Sequence, residues 1–364
     1  MVFDHPGRIR RLRSRLAESS LDSLLLGKRE NVYYFSGFTG GDSLLLVTEN
    51  RVFLISDFRY REQAEEELAL GCRLRLRVSA SLSEAAADLV REERLRRIGF
   101  EEEDISWDAW RRLKDLLSGK RLSPAGKLVG GLRVIKDPDE ISSLRIAAAR
   151  TVRVLGRARG SVRPGMSEAE LARRLSAEFF RAGGEPAFPP IAAGGEHSSH
   201  PHAAASARRF NRGEICLLDL GGKWNYYNAD LTRTLAGGDF PRRFKTVYRA
   251  VLAAQKKVLR AIRPGVRASD LDGLARGYLA DRGYGEYFGH GLGHGVGLEV
   301  HERPSVTARS GEVLEEGMVF TVEPGVYIPG WGGIRIEDTV LVTAKGCEVL
   351  TAAPKNLESC LLEW

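Results

Sequence analysis

Four acidic residues interrupt runs that otherwise read as buried strand: CLLDL holds Asp219, NADLT holds Asp230, FTVEP holds Glu323 and IRIED holds Glu337. An unpaired carboxylate in such surroundings costs roughly several kcal/mol or takes up a proton. Any one of these acids alone reads as a solvated strand residue; the set of four does not. Asp219 and Asp230 flank the turn-like GGKWN. A hairpin centred between Trp224 and Asn225 opposes them directly, at the Cβ separation of about 5 Å where like charges destabilise a sheet. Glu323 and Glu337 repeat the device around a loop centred on Gly330. Such pairs call for a cation. Hard oxygen donors with one imidazole suit one or two divalent ions such as Mn²⁺, Co²⁺ or Fe²⁺ better than a structural zinc. Two ions about 4 Å apart would lower the pKa of a shared water and polarise a carbonyl. Arg335, on the strand face of Glu337, neutralises part of the charge.

The imidazole has several sources. Six of the seven histidines fall between positions 197 and 301, in HSSHPH and in GHGLGHGVGLEVHE. If residues 289 to 298 are extended, His290 and His294 point to one side while His301 faces the other unless the chain turns. The glycines at 289, 291, 293, 295 and 297 leave one side bare. They are expected to let a peptide lie against the backbone, so that a bulky residue at Gly293 or Gly295 harms activity more than folding. Neutral imidazole serves equally as metal ligand or as acid and base, so spacing does not assign roles. The HExxH pattern is absent. His197 and His200 read as members of a polar loop.

The acids and histidines lie in the later part of 364 residues, a length that suits two domains. The first third alternates helix and strand: a helix near 7 to 19, strands in LDSLLL, SLLLVTEN and RVFLISD, and a helical REQAEEELAL. A loose, Gly- and Pro-punctuated stretch at 119 to 136 separates an α/β domain over 1–125 from a second domain over 126–364. The second domain opens with a helix capped by Asp137, with Pro138 in its first turn and Glu140 completing a capping box. Further helices and hairpins follow, so the class is α+β. The charged start lacks a signal peptide's apolar run, and no stretch is long enough to span a membrane; a cytoplasmic protein is expected. The four cysteines are scattered, which excludes a thiolate zinc site. The formal charge of +7 is spread along helix faces such as RIRRLRSRLAE, without a basic patch, so nucleic acid is not expected as a partner.

LLDLGGKWNYYNADLTRT, HGLGHGVGLEVHERP, MVFTVEPGVYIPGWGG and IRIEDT together resemble the dinuclear-metal pita-bread peptidases, in the branch of Xaa-Pro aminopeptidases and Xaa-Pro dipeptidases (prolidases). NVYYFSGFTG and LISDFRYREQA are similar to that branch's smaller α/β amino-terminal (creatinase-type) domain. The resemblance implies a carboxy-terminal pita-bread catalytic domain in which Asp219, Asp230, His294, Glu323 and Glu337 hold two divalent ions, Mn²⁺ or Co²⁺, with Asp230 and Glu337 bridging. It implies substrate contacts from His202 and His301, a further active-site histidine at His290, and a proton shuttle at Glu323. Substrates would be peptides with proline in second position, and the enzyme a homodimer.

Two positions depart from the pattern. Tyr226-Tyr227 stands where Gly-Tyr is common, and Ser305 stands where dipeptidases of this form tend to carry an arginine for the dipeptide's carboxylate. The second departure tilts the expectation toward an aminopeptidase accepting longer peptides, unless Arg303 or Arg309 substitutes. A methionine aminopeptidase lacks the first domain. Creatinase-type hydrolases and non-enzymatic members lack the full acid set.

Overall fold

The computed structural model describes residues 3–69, 74–238 and 241–362, with Ala69 described for its backbone only, and divides into two units, Met1–Arg133 and Val134–Trp364. The division follows Arg133 rather than residue 125. The stretch expected to be a loose linker instead forms a strand and a helix of the first unit.

In that first unit the strands are β1 (Ser23–Leu26), β2 (Ser43–Thr48), β3 (Val52–Ser56), β4 (Arg75–Val78), β5 (Arg97–Phe100) and β6 (Arg121–Pro124). They form one mixed sheet in the order β4-β3-β2-β1-β5-β6. The helices are α1 (His5–Glu18), α2 (Arg29–Ser36), α3 (Arg61–Ala69), α4 (Leu82–Glu92), α5 (Trp107–Leu116) and α6 (Gly126–Arg133). Leu25, Leu46, Phe53 and Ile98 from the sheet meet Ala86, Leu89 and Val90 of α4 in an apolar core. α6 belongs here because it packs on α1 and because the buried Arg133 guanidinium donates to Asn31 Oδ1 at 2.7 Å.

The second unit opens with α7 (Pro138–Arg159), whose capping box between Asp137 and Glu140 is formed as its sequence predicts. α8 (Glu168–Arg181), α9 (Arg242–Ala261) and α10 (Ala268–Ala280) follow. One sheet holds β7 (Glu185–Pro186), β8 (Ile191–Gly194), β9 (Ile215–Trp224), β10 (Tyr227–Gly237) and the late β18 (Leu361–Leu362). A second holds β11 (Gly293–Gly295), β12 (Glu302–Val306), β13 (Val319–Val322), β16 (Asp338–Thr343) and β17 (Gly346–Val349); β14 (Gly325–Ile328) and β15 (Gly332–Arg335) pair separately. α7 lies along β9 and β10, burying Leu144, Ala147, Ala148 and Leu155.

The β9–β10 register corrects the expected one. Asn225 and Tyr226 have φ of 49° and 70°, so they are the two central residues of a tight turn with both φ positive, as type I′ geometry requires. The hairpin therefore centres between them. Asp219 faces Thr232 and Asp230 faces Gly221, which leaves the two aspartates as diagonal neighbours on one face. The other hairpin follows the expected centring on Gly330: Val322 faces Asp338 and Gly325 faces Arg335. Its long strands break, however, at the positions of Glu323 and Glu337, where the ladder passes from one sheet to the other.

Cys216 and Cys360 are buried free thiols and Cys347 is half-buried and free, while Cys72 lies outside the described residues. Among the described residues no helix is long and apolar enough to cross a membrane.

Candidate metal centre and active site

A cavity of about 490 Å³ in the second unit is walled by Asp219, Asp230, Glu323, Glu337 and His294, with His202, His290, His301 and Arg335 also on its lining. All nine residues expected at the site thus reach one cavity. Each owes its place to a local element: the aspartates to the β9–β10 face, the glutamates to the two ladder breaks, and His294 to the centre of β11.

Within the cluster, ligand atoms of Asp230, His294 and Glu337 lie within 4.8 Å of one another. His294 Nε2 is 3.3 Å from Glu323 Oε1 and 3.8 Å from Asp230 Oδ2. Its Nδ1 lies 3.1 Å from the Gly295 carbonyl, which can only accept, so the proton belongs on Nδ1 and Nε2 is left to face the carboxylates. Thr321 Oγ1 donates to Glu323 Oε1 at 3.0 Å and accepts the His294 amide at 3.1 Å, tying two of the expected ligands together.

Arg335 is buried and held by four hydrogen bonds. Its guanidinium meets Asp219 Oδ2 at 2.6 Å, the Tyr327 hydroxyl at 2.7 Å, Thr232 Oγ1 at 3.1 Å and the Pro201 carbonyl at 3.2 Å. Thr232, which stands across the ladder from Asp219, donates a hydrogen bond from its hydroxyl to Glu337 Oε2 at 2.6 Å. The Tyr327 hydroxyl lies 3.0 Å from His290 Nε2 and donates there, because the acceptor-only Gly291 carbonyl at Nδ1 places the proton of the neutral ring on that nitrogen. His290 Nδ1 lies 2.7 Å from the Gly291 carbonyl. Both nitrogens of His290 are therefore used inside the protein, and burial pushes its pKa down. His301 and His202 are exposed into the cavity. The His301 ring stacks edgewise on His294 with centroids 4.0 Å apart, so the chain does turn between them. Partial burial and the His294 charge lower the His301 pKa.

The donor set fits divalent ions. Asp219 Oδ1, Asp230 Oδ1 and Glu337 Oε1 are buried and accept no hydrogen bond from the described residues. Burial and neighbouring carboxylates push Asp230 and Glu337 well above the usual carboxylate range, and burial raises Asp219 as well. Burial also acts to raise Glu323, but the hydrogen bond and charge of His294 outweigh it and hold the carboxyl at about 2; His294 in turn is raised to about 9. Acids this close and this dry are mutually destabilising unless positive charge enters among them.

Gly293 and Gly295 serve a different end from the one expected. A Cβ on Gly293 would overlap the Thr321 carbonyl, and one on Gly295 the Arg303 carbonyl. Backbone of the neighbouring strands, rather than substrate, occupies the bare side. His197 is also more than a loop residue. Its Nδ1 meets Glu168 Oε2 at 2.8 Å, and the same buried carboxylate accepts the Gly194 amide at 2.9 Å and the Ser206 hydroxyl at 2.6 Å. Glu168 thus ties down both ends of the loop that carries His202. Thr232, Thr321, Tyr327 and Glu168 carry no motif signal, since only their position against other residues gives them a part.

Ser305 faces His294 across the β11–β12 ladder and lines the cavity. Neither Arg303 nor Arg309 lines it, and Arg303 is bound to Glu312 at 2.6 Å.

Comparison with known proteins identifies the family. Residues 142–344 match the model of metallopeptidase family M24, and residues 8–135 that of the Creatinase/Prolidase N-terminal domain. A protein named Xaa-Pro dipeptidase from Pyrococcus horikoshii is 35% identical, over 96% of this chain and 98% of its own. The structure described as Xaa-Pro dipeptidase from Bacillus anthracis superposes with a TM-score of 0.94 at 36% identity, covering 99% of this chain and 100% of that one. The structure described as X-Pro aminopeptidase from Thermotoga maritima gives 0.88 at 34% identity, over 96% of this chain and 100% of that one. The chain belongs to metallopeptidase family M24, and its pita-bread peptidase domain follows a creatinase/prolidase-type amino-terminal domain.

Proposed function

We propose that this metallopeptidase hydrolyses the bond before proline in Xaa-Pro dipeptides. The observation that carries the reading is the buried acid and histidine cluster with three carboxylate oxygens that accept no hydrogen bond from the described residues. The restriction to dipeptides is supported by the relatives named Xaa-Pro dipeptidase, and it reverses the preference that Ser305 suggests.

In this reading Asp219, Asp230, His294, Glu323 and Glu337 would hold two divalent ions. Bound there, Mn²⁺ or Co²⁺ would polarise the scissile carbonyl and make a water nucleophilic near neutral pH. Glu323 takes the proton from the attacking water and delivers it to the imino nitrogen of the leaving proline. His301, half-exposed beside His294, donates to the carbonyl oxygen as its negative charge develops. His202 supports the leaving proline from the opposite loop. Arg335 pairs with Asp219, opposing the rise that burial imposes on its carboxyl, and reaches Glu337 through Thr232, so that the acids keep their spacing between turnovers.

A second reading, an aminopeptidase that accepts longer peptides, is favoured by one observation. No arginine other than Arg335, which is already paired with Asp219, lines the cavity among the described residues. Metal-free protein reloaded with Mn²⁺ and offered Ala-Pro, Ala-Pro-Ala and Ala-Ala separates the two. Cleavage of Ala-Pro with a kcat/KM at least about tenfold above that for Ala-Pro-Ala is expected. The reverse order makes the enzyme an aminopeptidase, and cleavage of neither proline substrate removes the Xaa-Pro assignment altogether.

A further inference from the structure

His290 and His294 stand on a stretch of chain that has little strand pairing. β11 is three residues long, its ladder with β12 slips between His294 and Gly295, and its ladder with β13 is a single pair. Residues 288 to 292 lie outside it. A glycine-rich segment so poorly laddered ought to sample many conformations.

Two side chains of α10 stand where a neighbouring strand would be. Arg276 Nη1 donates to the Phe288 carbonyl at 2.7 Å, and Nη2 donates to the His290 carbonyl at 2.8 Å. Asp272 Oδ1 accepts the Leu292 amide at 3.0 Å. Backbone groups of alternate residues, 288, 290 and 292, are thus gripped in the pattern of one edge of a ladder. Two N–H bonds of 3.0 Å between the side chains of Arg276 and Asp272 fix the pair, and the guanidinium lies over the Phe288 ring at 4.5 Å. Asp272 is fully buried. An aspartate–arginine pair one turn apart is ordinarily a weak surface feature; burying its carboxylate is justified by the groups it holds.

The grip reaches the acids. Leu292, whose amide Asp272 holds, accepts the Glu323 amide on its own carbonyl at 2.9 Å. We infer that Asp272 and Arg276 are positioning residues: they set the His290–His294 segment against Glu323 and so fix the spacing of the acid and histidine cluster. Neither side chain lines the cavity. The inference rests on the proposed reading of His294 and Glu323 as metal ligands.

Calorimetric titration of the metal-free, full-length protein with Mn²⁺ tests this without recourse to turnover. Arg276→Met is expected to weaken Mn²⁺ binding at one site or both by about 10- to 100-fold, the range for residues that orient ligands from behind. Arg276→Lys, which keeps the charge but loses the two-pronged grip, should fall between. At saturating Mn²⁺, kcat for Ala-Pro should stay depressed in Arg276→Met while KM changes less than about twofold. A folded Arg276→Met protein with wild-type Mn²⁺ affinity would overturn the inference, whatever its melting temperature, because a purely structural pair moves stability alone. Should Arg276→Met fail to fold, Arg276→Lys and Asp272→Asn are judged by the same affinity criterion. Wild type that binds no Mn²⁺ removes the metal reading and the inference with it. Wild type that binds Mn²⁺ but cleaves no proline peptide removes only the substrate assignment.

Discussion

Asp219 and Asp230 hang on a hairpin of ten paired positions, whereas His202, His290 and His301 hang on segments with scarcely any ladder. The two halves of one cavity are held by different means. For the aspartates, backbone pairing and a two-residue turn suffice, and their position follows from register alone. For the histidines, buried carboxylates with cationic or hydrogen-bonding partners take the place of pairing. Glu168 ties the His202 loop, the Asp272–Arg276 pair grips the His290 segment, and Lys136 reaches Glu302, next to His301, at 2.7 Å. A rigid ladder suits acids that must stay close despite repulsion. Side-chain clamps suit groups that approach substrate from irregular loops.

The sharpest way to break this contrast is on the ladder side. Asp230→Asn should lower metal-dependent hydrolysis by at least about 10⁴-fold, or ~5.5 kcal/mol in the barrier. The same change should raise the melting temperature of the metal-free protein, because burial and the adjacent Asp219 already press the Asp230 carboxyl toward protonation. A metal-free variant less stable than wild type would show that repulsion among the acids is not what the ladder resists. Next comes Gly295→Val. With the Arg303 carbonyl where its side chain must go, we expect destabilisation of about 4 kcal/mol or more, read by denaturant unfolding. A soluble, normally stable variant with reduced turnover would restore the idea that the glycines exist for the substrate.

Much of the ladder side was legible in the sequence, and little of the clamp side. Acids in apolar strand runs stand out because burial of charge is costly, and the capping box before α7 is a local signal that needs no tertiary context. The first hairpin was misregistered because Asn225 and Tyr226 both accept positive φ, which moves the turn centre by one position and every partner by two. The breaks at Glu323 and Glu337 were invisible, since MVFTVEPGVYI and GGIRIEDTVLVT each read as one strand. Residues 119 to 136 looked like a linker because Gly126, Gly130 and Gly131 weaken a helix that packing on α1 nevertheless stabilises. Asp272 and Glu168 resemble ordinary helix-surface charges until the fold buries them, and so does the partly exposed Arg276 until it meets the Phe288 and His290 carbonyls.

On the clamp side the largest expected effect is at Lys136, whose side chain is fully buried against a Glu302 side chain only 8% exposed. Lys136→Met removes this buried ion pair and should cost about 3 kcal/mol in denaturant unfolding, with the Lys136→Met/Glu302→Gln double variant recovering part of it. Strict additivity of the two single changes would mean that the pair does not act as a unit.

The smallest effect belongs to Glu168, and its sign depends on pH. Burial acts to raise its pKa, but the Ser206 hydroxyl, the Gly194 amide and His197 outweigh that and leave the carboxyl below its usual range. A depressed folded-state pKa contributes stability above the unfolded carboxylate's pKa and loses it as pH falls through the folded value. Glu168→Gln should therefore be less stable by about 2 kcal/mol at neutral pH, the scale of hydrogen bonds to a charged group, with a shallower decline on the acid side. Because the loop carries His202, KM for Ala-Pro should rise more than kcat falls. Acid-unfolding curves that run parallel for variant and wild type would mean that the loop is held by its backbone, and the distinction between laddered acids and clamped histidines would fail at this point.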